Sequence, residues 1–133
     1  MSDFTAEKED SIVLSLPINP AYVSAARLTA SSIANRIGFD IDEIEDVKAA
    51  VSEACTYIIK NAPNNNQEFF KIIFAIKEVT MTIRIECAQK FPEVNFDEEM
   101  GLLMIKALSD DFVIKAEETL FLSVSKSHKR MKL

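Results

Sequence analysis

Glu53, Tyr57 and Asn61 stand four residues apart in the stretch SEACTYIIKNAP, a carboxylate, a phenol and an amide at i, i+4 and i+8. On an α-helix that spacing puts all three on one side, where a single bound molecule would touch each of them. A glutamate so placed can act as general base, taking a proton from a hydroxyl or orienting a water. Taken singly, each residue also has a plainer role. Glu53 suits a solvated helix face by propensity, and Asn61 suits a helix end before a proline loop.

The helix that must position them runs from Asp40 to Ala62. Ile41, Ile44, Val47, Val51, Ala54, Cys55, Ile58 and Ala62 recur at helical spacing and form one apolar stripe. Asp40 can cap the N-terminus with Glu43 closing a box, and four acidic residues load the first turns where the helix dipole favours them. Pro63 stops the helix, and PNNNQ reads as a loop.

Ahead of it, Ser11 to Leu16 alternates as a first strand, and Asn19-Pro20 opens a helix that ends at Gly38. That helix turns Val23, Ala26, Ala30, Ile33 and Ile37 inward. Behind it, Phe69 to Ile76 is an apolar run broken at Lys77-Glu78. Val79 to Cys87 then alternates strictly, as an antiparallel strand with one wet face does. Gln89 to Phe96 reads as a loop and Asp97 to Leu108 as a third helix, with Met100, Leu103, Met104 and Ala107 inward. Phe112 to Ala116 and Leu120 to Val124 form a second hairpin. Segregated hairpins with helices between them predict an α/β (α+β) two-layer sandwich, a mostly antiparallel sheet covered on one face by three helices. The expected organisation is a disordered 1–10, one domain over 11–125, and a basic C-terminal tail over 126–133.

The 133 residues are enough for one domain with its own core, and 48% hydrophobic content is ordinary for a globular protein. A net charge of −6 argues against a nucleic-acid surface. The apolar runs are too short to span a bilayer, and the polar, acidic MSDFTAEKED does not resemble a signal sequence, so a cytoplasmic protein is expected. Cys55 and Cys87 make neither a disulfide framework nor a metal pattern. The tail residues Lys126, Lys129, Arg130 and Lys132 read as a solvated, frayed end.

The run VKAAVSEACTYIIKNA resembles the N-box of the anti-sigma-factor serine kinases, members of the GHKL (histidine-kinase-like) ATPase superfamily. Their pattern is V-S-E-A-C-T-N followed by three residues and a His. The resemblance covers Leu16 to Asn61 and weakens afterwards. It implies the histidine-kinase-like ATPase fold, a cytoplasmic homodimer, and ATP lying between the long helix and the sheet. It makes Glu53 the general base, taking a proton from a partner serine. It also places Tyr57 where the family's asparagine holds magnesium, and Asn61 where the family has histidine. Cys87 stands at the position of the adenine-binding Asp, and Gln89 at that of the following glycine. Of the phosphate-cradling glycines only Gly101 remains, in EEMGLLMI, with Glu98 and Glu99 beside it. Arg27, in YVSAARL, matches an arginine on the surface that binds sigma factor and antagonist.

These departures shape the functional expectation. A thiol cannot replace a charge-assisted hydrogen bond, whose loss costs roughly 1.5–3 kcal/mol, about ten- to a hundredfold in affinity. Glu99 repels phosphate, and with two glycines in the chain a phosphate-cradling loop cannot be built in the usual way. The reading is therefore a regulatory anti-sigma-like binding protein with a degenerate ATP site. It needs no cofactor or metal, and its partner is a sigma factor or an anti-anti-sigma protein. Two alternatives stand beside it: an active Mg-ATP-dependent serine kinase using Glu53, and a sensor domain for another small ligand.

Overall fold

The computed structural model describes residues 9–63 and 68–129. In chain order the elements are β1 (Asp10–Pro17), a 3-10 turn (Pro20–Tyr22), α1 (Val23–Arg36), α2 (Ile41–Asn61), β2 (Phe69–Lys77) and β3 (Thr80–Cys87). A second 3-10 turn (Phe96–Glu98), α3 (Met100–Leu108), β4 (Asp111–Ala116) and β5 (Leu120–Ser127) complete them. The five strands form one antiparallel sheet in the order β1-β2-β3-β5-β4. Three helices and an open sheet are the architecture expected of an α/β two-layer sandwich.

Local chemistry sets the helix starts. Asn19 Oδ1 accepts from the Ala21 N–H at 2.9 Å, and Pro20 supplies a preset φ for the turn before α1. Asp40 and Glu43 form a reciprocal capping box, each carboxylate accepting the other's backbone N–H at 2.8 Å. One sheet face is apolar row by row: Leu14, Ile72, Ile85, Leu122 and Ile114 stand in register, as do Ile12, Phe74, Ile83, Val124 and Phe112. Ala26, Ala30, Val47, Val51, Ala54 and Ile58 from the helices join that face in a single core. The alternation read in β3 holds, with Met81, Ile83, Ile85 and Cys87 buried.

Four local expectations are corrected. Ile41 is 78% exposed, because as the first residue of α2 it precedes the part of the stripe that meets the core. The third helix begins at Met100, and its buried residues are Leu102 and Ile105, whereas Met100 and Met104 are exposed. MGLLMIKAL is apolar almost throughout, so its periodicity does not select a face. The hairpin turn falls at Glu78-Val79, one residue later than read, with Glu78 at φ 56°.

The fourth correction concerns the ends. Asp10 already belongs to β1, and β5 continues to Ser127, past the expected boundary of 125. The residues that follow are tied down. His128 N–H donates to Val79 O, Lys126 Nζ donates to Leu108 O at 3.0 Å and lies 3.4 Å from Asp46, and the Lys129 N–H donates to Glu43 Oε2 at 2.6 Å. Residues 1–8, 64–67 and 130–133, with Arg130, Lys132 and most of the asparagine loop, lie outside the described residues.

Candidate functional site

Glu53, Thr56, Tyr57 and Lys60 present one side of α2, and Glu99 and Gly101 at the start of α3 face them. The shared helix side predicted for Glu53 and Tyr57 is therefore real. The space between the two helices is about 60 Å³. Pockets that bury a drug-sized ligand run from about 300 Å³ upward, so this cleft is narrow.

One of its walls is aromatic. Tyr57 is buried at 7% exposure and stacks on Phe91, itself 3% exposed, with ring centroids 6.4 Å apart and planes 18° from parallel. Phe91 comes from the irregular segment between β3 and α3, read from the sequence only as loop. A lone phenylalanine in KFPEV carries no periodicity, so nothing in the pattern marked it as core. Burial raises the Tyr57 hydroxyl above its ordinary pKa, and the Glu99 carboxylate raises it further. The phenol stays neutral at physiological pH.

Gly101 is closed in by Glu53. A Cβ built there would lie 2.8 Å from Glu53 Oε1. The half-buried Glu53 carboxylate thus lies against the start of α3. Glu99 is half-buried at the N-cap position of α3, and its side chain makes no capping hydrogen bond.

Asn61 is placed differently. Its Nδ2 donates to the Tyr57 carbonyl at 3.0 Å, one turn back on α2. The amide is folded back on its own helix and lies apart from the cleft residues. Cys87 is buried at 1% exposure at the end of β3. Burial raises its thiol above the ordinary pKa, against a lowering by the Gln89 N–H, and Glu68 adds to the rise. Burial alone pushes Cys55, in the middle of α2, up to about 12. Both are inert neutral thiols at physiological pH. Arg27 lies on the exposed side of α1, beside Leu28, which is 69% exposed.

This arrangement, a long capped helix with Glu53 on its cleft side above an antiparallel sheet, has close parallels. The histidine kinase-like ATPase domain family matches residues 16–124. The chain belongs to that family. It is 35% identical over 140 residues to the serine-protein kinase RsbW of Oceanobacillus iheyensis, covering 88% of this chain and 86% of that one. The RsbW of Bacillus mycoides is 30% identical over 140 residues, with 90% and 86% covered. Among solved structures, the RsbU and RsbW domains of a Mycobacterium tuberculosis protein superpose with a TM-score of 0.73 at 15% identity. That match covers 92% of this chain and 33% of the other. At that identity the likeness is one of fold. No helix among the described residues is long and apolar enough to cross a membrane.

Proposed function

We propose that this histidine-kinase-like chain is an RsbW-type regulatory protein that works by binding, with its ordinary Mg·ATP site given up. Its partner would be a sigma factor or an anti-anti-sigma protein, held by a cytoplasmic homodimer. The observation that carries this reading is the buried Tyr57 ring, stacked on Phe91, which borders the narrow cleft beside Glu53 where the family's magnesium-binding asparagine would stand. The neighbouring groups fit Mg·ATP poorly as well. Asn61 is not among the residues that line the cleft, Cys87 is a buried neutral thiol, and the Glu99 carboxylate faces the cleft. Each removes a donor or adds a repulsion that the phosphates and the metal would meet.

Calorimetry with Mg·ATP and Mg·ADP tests it. The expected dissociation constant is millimolar or weaker, about −4 kcal/mol or less in magnitude. A micromolar constant would overturn the reading. A kinase reading rests on one specific observation, the retention of a half-buried Glu53 in the cleft. Phosphate transfer to a partner serine, abolished by Glu53→Gln, would establish it.

A further inference from the structure

The side of the sheet away from the helices carries a larger hollow than the cleft beside Glu53. Lys71 on β2 stands directly across from Glu86 on β3, and Glu86 in turn stands across from Phe121 on β5. With Phe69, Ala88 and Thr119 these residues border a cavity of about 340 Å³, within the usual range for small-molecule sites. Ala88 supplies only a methyl group where its neighbours on the same rim are large. Phe69, 56% exposed, and the half-buried Phe121 provide apolar walls.

The cavity's polar groups are a lysine and a glutamate directly opposite on antiparallel strands, where Cβ atoms stand about 4.5–5.5 Å apart. Among the described residues no ion pair links Lys71 to Glu86. An exposed pair of this kind contributes little even when formed, so a ligand can engage either group at small cost. The cavity therefore offers one cationic and one anionic contact side by side, with two phenyl rings adjoining.

That combination selects among ligand classes. A simple anion would meet Lys71 and also the like charge of Glu86, and a simple cation would meet the reverse. A neutral apolar molecule would cover both charges without pairing them, which is unfavourable. A small zwitterion with an apolar body satisfies all three features. We propose that this cavity binds a free α-amino acid with an apolar side chain. Its carboxylate pairs with Lys71, its ammonium pairs with Glu86, and its side chain lies between Phe69 and Phe121. Glu53 is not among the residues that border this cavity, whereas Cys87, at the end of β3, is.

Titrating the full-length protein with L-phenylalanine and L-leucine, followed by amide NMR shifts, tests the proposal. Saturable shifts centred on Lys71, Glu86, Ala88 and Phe121 are expected at millimolar concentration. Phenethylamine and 3-phenylpropionate, each lacking one charge, should bind at least tenfold more weakly, about 1.4 kcal/mol. Ala88→Trp should fill the cavity and abolish the shifts, and Lys71→Gln should weaken binding about tenfold without altering the fold. Shifts that are absent or scattered, or equal affinity for the singly charged analogues, would overturn the proposal. So would resonances at these positions that move with protein concentration and not with amino acid, since a second copy would then occupy the face. Nucleotide calorimetry measures a different ligand, so the two readings fail separately.

Discussion

Tyr57 of α2 and Phe91 of the segment between β3 and α3 lie stacked at 6.4 Å with an interplanar angle of 18°, and both are almost fully buried. One ring is fixed by a helix and the other by no regular element, so the contact anchors the irregular segment against α2. Removing a buried phenylalanine side chain costs about 3–5 kcal/mol, and a stacked pair adds roughly 0.5–1.5 kcal/mol of mutual coupling. Phe91→Ala should therefore lower the urea midpoint strongly, and a double-mutant cycle with Tyr57→Ala should return about 1 kcal/mol of coupling. A loss under about 1 kcal/mol for Phe91→Ala would mean the segment is held by something else.

Glu43 joins the start of α2 to the end of the chain. Its carboxylate accepts from the Asp40 N–H, from the Lys129 N–H, and from His128 Nδ1 at 2.6 Å, with the His128 ring stacked near Phe39. Burial alone would raise its pKa. The Lys129 and Asp40 N–H groups and His128 together outweigh that and hold it below the ordinary 4.5. A lowered carboxyl pKa contributes stability that is present above the ordinary value and is lost as pH falls through the folded one. Glu43→Gln should cost about 2 kcal/mol near neutral pH, since hydrogen bonds to a charged group are lost. The gap between wild type and variant in urea unfolding should close as the pH is taken below about 4. A gap of the same size at both pH values would remove the charge from the account.

Much of this was legible because alternation and caps are local. Asp40 with Glu43, Asn19 with Pro20, and the strict alternation into Cys87 each specify structure within a few residues, and each appears as read. What escaped was set at a distance. The second role of Glu43 needs Lys129, 86 residues away, and the burial of Phe91 needs the Tyr57 ring. The face of α3 escaped for a different reason: MGLLMIKAL offers apolar residues on every side, so only the neighbouring α2 decides that Leu102 and Ile105 are covered. At the site, Glu53 and Tyr57 could be paired from helical spacing. Asn61 could not be placed, because turning its amide back on the Tyr57 carbonyl is a choice made at a helix end.

Gly101 gives a test that separates a helix glycine from a phosphate-cradling one. Its backbone needs no left-handed conformation, since Gly38 at φ 97° is the glycine with positive φ among the described residues. The one close neighbour of an added Cβ is the tip of the Glu53 side chain, at 2.8 Å, which is flexible and can swing aside. Alanine is favoured over glycine by about 0.5–1 kcal/mol in a helix interior, an upper bound for Gly101 in the first turn of α3. Gly101→Ala should therefore leave the protein as stable or more so, by up to about 1 kcal/mol in thermal or urea unfolding. A clear destabilisation would show that the Glu53 carboxylate is held in place and that its position matters.

Arg27 tests the partner surface. It lies on the exposed side of α1, while Ala26, Ala30, Ile33 and Ala34 of the same helix are buried. Leu28 beside it is 69% exposed, and Tyr22, just before the helix, is 45% exposed. Arginine and tyrosine are enriched at the centres of interfaces, and Arg27, Leu28 and Tyr22 are all exposed at this end of the chain's first helix. Arg27 can engage a carboxylate through two parallel hydrogen bonds, which lysine cannot reproduce. Reversing its charge should change folding stability by no more than about 0.5 kcal/mol, since no buried contact is lost. Binding of a cognate sigma factor or anti-anti-sigma protein should nonetheless weaken by roughly 2 kcal/mol, about thirtyfold, with most of the change in the off-rate if the pair is buried. Surface plasmon resonance on wild type, Arg27→Glu and Arg27→Lys, matched for melting temperature, distinguishes the cases. Loss with both variants places the bidentate contact at the interface. Loss with the glutamate alone reduces the contribution to net charge, and equal binding by all three removes α1 from the partner surface.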